Sequence, residues 1–141
     1  MDKMTPSNKI KPNNLDATAF PQLLASIDMG SNSFRLEIAE LSKGRYKRVD
    51  YLKETVRLGA GLDDHGLLTE EATQRGLACL ARFAQRLKGF APWQVRAVAT
   101  QTLREAKNRD AFLARADRTL GHPIEVIAGR EEARLIYQGV A

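Results

Sequence analysis

The chain changes its hydrophobic pattern once, near residue 59, and this change limits the folds that it can adopt. Before it, three apolar segments of strand type follow one another with only short turns between them, at 23–27, 34–41 and 45–55. Strands joined by short turns form an antiparallel meander. After it, helical and strand segments alternate, which requires crossover connections between strands. We therefore expect an α/β fold with a mixed five-stranded sheet in the order β-β-β-α-β-α-β-α.

The helices are expected in the second part of the chain. Thr69 is a typical N-terminal cap, because the two residues after it are acidic and suit the positive end of a helix dipole. Four apolar residues then follow the spacing of one buried helical stripe: Leu77, Leu80, Ala84 and Leu87. The other elements are predicted in this order: a strand at 95–99, a helix at about 108–120, a strand at 124–127 and a helix at 131–139.

The ends of the chain lead to two further expectations. Residues 1–21 are polar, rich in proline and without the apolar stretch of a signal peptide, so we expect a flexible N-terminal arm followed by one domain at 22–141. The chain stops at Ala141, at or inside a helical segment and without a stop signal. We interpret it as a piece of a longer protein.

Composition narrows the class of partner and the compartment. The net charge of +5 and the isoelectric point near 9.6 suit a polyanion. Only 6% of the residues are aromatic, which gives little support to recognition of nucleic acid by base stacking. No apolar run reaches membrane-spanning length. The single Cys79 cannot form an internal disulfide, which favours a cytoplasmic protein.

Asp28 to Ser33 is the first segment that can carry chemistry, and it lies between the first two predicted strands. A segment of this composition commonly forms only a hairpin turn, in which Gly30 and Asn32 supply unusual backbone angles. A carboxylate at a strand end can also hold Mg²⁺, and the Gly-Ser-Asn-Ser stretch can offer amides and hydroxyls to phosphate oxygens. The segment alone does not decide between the two.

Two later segments have the same ambiguity. Thr100 follows the fourth strand, and Arg104 comes four residues later. Thr100 can be a simple helix cap and Arg104 a surface residue, or both can bind phosphate. Glu131 and Glu132 stand at the start of the last helix, where acidic residues are common. Adjacent helical residues differ in direction by about 100°, so the two glutamates cannot share one role, and one of them can orient water near a bound phosphate.

Together these segments resemble the exopolyphosphatase and guanosine pentaphosphate phosphohydrolase family, Ppx/GppA. The resemblance runs from about Leu24 to Val140 and rests on five blocks, given by residue number: 27–34, 56–62, 69–72, 100–104 and 129–136. It implies one ribonuclease H-like half of the acetate kinase–sugar kinase–Hsp70–actin fold. It also implies Mg²⁺-assisted hydrolysis of the terminal phosphate of inorganic polyphosphate, or of the 5′ γ-phosphate of guanosine pentaphosphate.

The resemblance also assigns roles to individual residues. Glu132 matches the family's catalytic glutamate, Arg104 its phosphate-binding arginine and Asp28 its metal-associated aspartate. Phosphate contacts are implied for six further residues: Gly30, Ser31, Asn32, Ser33, Thr100 and Arg57. The positive charge of Arg57 can also have a purely structural role. Ala99 stands where the family often has glycine.

The family's second aspartate- and glycine-rich phosphate loop is missing from these 141 residues. We therefore expect the fragment alone to be inactive and the full-length protein to be an active homodimer. Two other classes stay open from the residues themselves. One is an ATP-using kinase or chaperone of the same superfold, and the other is a non-enzymatic module that binds polyphosphate or a guanosine alarmone.

Overall fold

The computed structural model of the protein describes residues 22–127, which form a five-stranded sheet with helices. The strands are β1 (Gln22–Met29), β2 (Ser33–Ser42), β3 (Arg45–Thr55), β4 (Val95–Ala99) and β5 (Ile124–Val126). Their order across the sheet is β3-β2-β1-β4-β5. The first three strands pair antiparallel, whereas β4 pairs parallel with β1 and with β5. The predicted mixed sheet, with its antiparallel start, is confirmed.

Within the described residues, three α-helices connect or follow the strands. They are α1 (Glu70–Arg86), α2 (Gln101–Glu105) and α3 (Arg109–Leu120). The Thr69 hydroxyl accepts the amide of Ala72 at 3.2 Å, so the predicted cap of α1 is present. No helix within residues 22–127 is both long and apolar enough to cross a membrane. The predicted arm at 1–21 and the predicted helix at 131–139 lie outside the described residues.

The hydrophobic core lies between one face of the sheet and the helices α1 and α3. Ile27 of β1 and Leu36 of β2 are opposite each other in the ladder and are completely buried. Helix α1 contributes Leu80 and Phe83 to the same cluster, and α3 contributes Phe112. Because strand side chains alternate between faces, the hydrophobic residues of β1 that contact this cluster are every second residue, ending at Met29.

The structure differs from the sequence prediction in the end of one strand, the buried face of one helix and the presence of an additional short helix. Strand β1 continues through Asp28 to Met29, because both residues pair with β2 and with β4. Of the predicted stripe of α1, Leu80 and Leu87 are buried and Leu77 and Ala84 are only half-buried. The buried face also includes Gly76, Cys79 and Phe83. Helix α2 was not predicted as an element of its own; it begins directly after β4, before the predicted helix at 108–120.

Strand β3 forms one edge of the described sheet and joins β2 through a two-residue turn. Lys43 and Gly44 both have positive φ, at 53° and 75°, as hairpin turns that match the strand twist require. The edge is interrupted by a bulge opposite Ile38 and Ala39. Bulges and cationic side chains on an edge strand oppose pairing with other chains, so the many basic residues of β3 have a structural explanation.

Candidate active site

The site is built where the carboxyl ends of the parallel strands meet at one edge of the sheet. The turn at 30–32 follows β1, and Thr100 follows β4. The amide and the hydroxyl of Thr100 both donate to the Met29 carbonyl, at 3.2 and 3.3 Å. Thr100 is buried and occupies the N-cap position of α2, but its side chain makes no capping hydrogen bond. It therefore joins the ends of β1 and β4, and the sequence alternative of a simple cap does not describe it.

The turn between β1 and β2 is tight and presents two exposed residues. The Gly30 amide donates to the Ser33 carbonyl at 2.9 Å, and a Cβ on Gly30 would lie 3.0 Å from that oxygen. Ser33 is buried as the first residue of β2. Ser31 and Asn32 are exposed, and their amides donate to no other group within residues 22–127. Successive free amides at a turn are suited to an anion.

The segment after β3 packs directly against this turn. The Asn32 carbonyl accepts the amides of Val56 and Arg57, both at 2.9 Å, and the Ser31 carbonyl accepts the amide of Gly59 at 2.9 Å. Arg57 is exposed and has a φ of 55°. This left-handed conformation costs a residue with a Cβ about 1 kcal/mol, so the surrounding hydrogen bonds must stabilise it.

Helix α2 contacts the same turn through a residue that the sequence did not single out. The Thr102 hydroxyl donates to the Ser31 hydroxyl oxygen at 2.8 Å. A Cβ on Gly59 would lie 3.3 Å from both the Ser31 Cβ and the Thr102 hydroxyl. Three segments far apart in sequence therefore meet at Ser31. Thr102 belongs to a block that carried the resemblance, but only the fold shows that it contacts the turn.

Arg104 and Asp28 lie on the elements that form the site. Arg104 is exposed on α2, and its amide lies 3.4 Å from the Thr100 carbonyl that begins the helix. Asp28 is the penultimate residue of β1, pairs opposite Arg35 in the ladder and forms an ion pair with it at 3.8 Å. The Asp28 side chain is 25% exposed, so it remains accessible from solvent. Glu132 lies outside the described residues, and its catalytic role stays a prediction.

The described residues can supply Mg²⁺ with one carboxylate at this edge. No group of three or more histidine, cysteine, aspartate or glutamate side chains within 22–127 is arranged to hold a metal ion. Mg²⁺ in phosphoryl-transfer sites is commonly held by one or two carboxylates together with phosphate oxygens and water. Asp28, partly exposed beside the turn at 30–32, fits that kind of site.

The ionisable groups with perturbed pKa values belong to the scaffold around the site. Arg82 lowers the pKa of Glu54 through a bidentate hydrogen bond between α1 and β3. Arg115 and then Gln74 lower the pKa of Glu70. Burial raises the pKa of the Cys79 thiol to about 12, so Cys79 stays protonated and is a core residue, not a nucleophile.

The fold and the site together define a class: the chain is one ribonuclease H-like half of the acetate kinase–sugar kinase–Hsp70–actin fold, with a polar turn at the carboxyl edge of its parallel strands. A structure of a Ppx/GppA protein from Aquifex aeolicus is 33% identical and superimposes with a TM-score of 0.75, over 85% of this chain and 39% of that one. An exopolyphosphatase from Cytophaga hutchinsonii is 35% identical with a TM-score of 0.74, over 84% and 38%.

The sequence comparisons give the family. Residues 37–141 match the Ppx/GppA phosphatase family, and the chain belongs to this family. It is also 50% identical over 119 residues to the guanosine-5′-triphosphate,3′-diphosphate pyrophosphatase of Vibrio vulnificus. That alignment covers 84% of this chain but only 24% of the relative, so the chain spans about a quarter of the length of this curated relative.

Proposed function

We propose that the protein containing this chain hydrolyses a terminal phosphoanhydride bond and releases orthophosphate. The observation that carries this proposal is the meeting of three segments at Ser31, which leaves the exposed residues Ser31 and Asn32, with their amides unused within residues 22–127, next to Arg57 and α2. Backbone amides and guanidinium groups suit the anionic oxygens of a phosphoryl group. Membership of a phosphatase family favours hydrolysis over the ATP-using kinase or chaperone that the residues alone left open.

Each residue of the site has a proposed task. The amides of Ser31 and Asn32, together with Arg57 and Arg104, would hold the phosphate oxygens and balance charge on the transferring group. Gly30 and Ser33 would shape the turn, because the Gly30 amide already has a partner and Ser33 is buried. Thr100 would hold α2 against the end of β1. Glu132 would orient a water molecule in line with the leaving group and accept its proton.

Asp28 is the proposed magnesium ligand of this half of the site. When bound, Mg²⁺ would neutralise charge on the phosphate oxygens. The Asp28 carboxylate forms an ion pair with the Arg35 guanidinium at 3.8 Å, on the neighbouring strand β2. The expected consequence is that Asp28→Asn weakens the dependence of turnover on Mg²⁺.

Two substrates are compatible with this site. Our first proposal is inorganic polyphosphate, in line with the exopolyphosphatase from Cytophaga hutchinsonii at 35% identity. The second is guanosine pentaphosphate, and the higher identity of 50% to the enzyme from Vibrio vulnificus favours it specifically. Phosphate release by the full-length protein from each compound, compared as kcat/KM, distinguishes them. Tight binding of both without release of phosphate would indicate a binding module and refute the hydrolase.

The test of the mechanism uses the adjacent glutamates as a matched pair. In the full-length protein, Glu132→Gln is expected to lower kcat at least about 100-fold with little change in binding, because only the general base is lost. Glu131→Gln should stay within a few-fold of wild type, since adjacent side chains in the helix predicted from the sequence would point in different directions. The opposite ranking would show that the base has been assigned to the wrong residue. Substantial turnover by the 141-residue chain alone would contradict the need for a second phosphate loop.

A further inference from the structure

Arg57 has a backbone conformation that the local sequence does not explain. Within residues 22–127, only Lys43 and Arg57 have positive φ without being glycine. Lys43 belongs to the β2–β3 hairpin turn, where Gly44 follows it and positive φ is required. Arg57 follows a strand and leads into a short 3₁₀ turn at Gly59–Gly61, with no glycine directly beside it. Its conformation must therefore be stabilised by contacts from elsewhere in the fold.

Arg75 of α1 supplies those contacts from one side. Its Nε donates to the Val56 carbonyl at 2.9 Å and its Nη2 donates to the Arg57 carbonyl at 3.0 Å. On the other side, the amides of Val56 and Arg57 donate to the Asn32 carbonyl in the turn at 30–32. The peptide group that joins Val56 to Arg57 is thus held on both sides, by the helix through its carbonyl and by the turn through its amide. The bonds from Arg75 are strengthened by its charge.

Arg75 has little else to do in the structure. Its only ion pair within residues 22–127, with Glu71, is long at 3.9 Å, and the Glu71 side chain is 87% exposed, so the pair contributes little to stability. Arg82, two turns further along α1, differs in this respect. It pairs with the Glu54 carboxylate of β3 at 2.6 and 2.8 Å, and within residues 22–127 no hydrogen bond from its side chain reaches the Val56 or Arg57 carbonyl.

We propose that Arg75 is a positioning residue for the phosphate site: it fixes the left-handed backbone of Arg57 and so places the Arg57 guanidinium beside the turn. This rests on the proposed role of Arg57 as a phosphate ligand. The two bonds from Arg75 to the backbone of another segment give it a task that a position at the helix surface alone would not. The same bonds connect the first turns of α1 to the shape of the site.

The first arm of the test is kinetic, on the full-length protein with polyphosphate and guanosine pentaphosphate. Arg75→Met keeps the length of the side chain but removes both hydrogen bonds, and Arg75→Lys keeps the charge and one donor. We expect Arg75→Met to raise KM about tenfold with kcat nearly unchanged, because ground-state and transition-state binding are lost together. Arg75→Lys should recover part of this loss. Arg82→Met is the matched control and should leave KM unchanged.

The KM readout separates positioning from a purely structural role. A variant that only destabilises the protein lowers the active fraction, which reduces apparent kcat and leaves KM as it was. A fall in kcat alone after Arg75→Met, or an equal rise in KM after Arg82→Met, would overturn the proposal. A double-mutant cycle gives the coupling: if Arg75 acts through Arg57, Arg57→Ala with Arg75→Met should be no worse than Arg57→Ala alone. If the fold-increases in KM of the two single variants multiply in the double variant, Arg75 acts independently of Arg57.

The second arm measures the backbone itself, by hydrogen exchange on peptides covering 53–61. Arg75→Met should speed exchange of the Val56 and Arg57 amides at least about tenfold over wild type, and Arg82→Met should not. Unchanged exchange would refute the proposal whatever the substrate is. An unaltered KM in Arg57→Ala would instead refute the proposed function of Arg57 and the inference that depends on it. A raised KM in Arg57→Ala with wild-type kinetics in Arg75→Met would refute the inference alone.

Discussion

Gly61 is the residue at which the packing of the site on α1 can be tested most sharply. A Cβ at Gly61 would lie 2.1 Å from the Cβ of Ala72, in the first turn of α1. Carbon atoms in contact are normally about 3.5–4.0 Å apart, so Gly61→Ala must separate the segment from the helix by roughly 1.5 Å. The Gly61 carbonyl accepts the amide of Thr69 at 2.9 Å, and a displacement of this size breaks that bond.

The magnitude follows from these two losses. Overpacking a well-filled contact costs about 1–3 kcal/mol, and the broken hydrogen bond adds about 1 kcal/mol. We therefore expect Gly61→Ala to lower the free energy of unfolding by about 2–4 kcal/mol, measured by urea denaturation. It should also raise KM, because Gly59 and the Arg57 segment move with Gly61 away from the turn.

A second substitution is expected to rescue the first. Once Ala72 is glycine, the nearest remaining backbone atom to the new Cβ is the Cα of residue 72, at an ordinary 3.6 Å. Gly61→Ala with Ala72→Gly should therefore be only about 1 kcal/mol less stable than wild type, which is the helix-propensity cost of the glycine. Gly76→Ala is the control, because its new Cβ would lie at an ordinary 3.5 Å from Phe112, and it should be neutral or stabilising. A loss below about 1 kcal/mol in Gly61→Ala, or no rescue by Ala72→Gly, would show that close approach is not the reason for glycine here.

Two further changes test the scaffold of the site. Thr102→Val removes the hydrogen bond to Ser31 while keeping the shape, so we expect a loss of about 1 kcal/mol in urea denaturation and a KM raised a few-fold, with Thr102→Ser near wild type; equal KM values in the two variants would contradict this. Arg82 lowers the pKa of Glu54, so the stability from this pair is present above the unfolded pKa of glutamate and is lost as pH falls through the lower folded value. The difference in urea midpoint between wild type and Arg82→Met should accordingly shrink between about pH 7 and about pH 3, and a constant difference would contradict the pairing.

The sheet could be predicted from the sequence because its signals are local. Alternation and the Lys43-Gly44 turn define β3 at 45–55, and the structure has the same limits. Thr69 marks the start of α1 through a contact three residues away. Such short-range patterns predict the order of the strands and helices along the chain. That order restricts which strand ends can lie together at one edge of the sheet.

The parts of the sequence prediction that were wrong or incomplete depend on contacts between residues that are distant in sequence. The stripe chosen for α1 favoured large apolar residues, whereas the buried centre includes Gly76, which lies against the ring of Phe112 in α3. Five residues are too few for a helix to form alone, so α2 shows no period and relies on Thr100 and Thr102 for its position. Asp28 is a poor strand former, yet it continues β1 because Arg35 lies opposite it. The contacts of Arg75 have no sequence signal at all.

The Asn32 carbonyl, which accepts two successive amides, has a consequence for selectivity. Rotating the peptide group that follows Asn32 would break both bonds at once, so the turn cannot change shape to suit different ligands. A turn of fixed shape recognises only what its ligands have in common, and polyphosphate and guanosine pentaphosphate share a terminal phosphoryl group. Discrimination between a mineral polymer and a nucleotide therefore falls to residues that contact the remainder of the ligand, and exchanging substrates should require changes away from this turn.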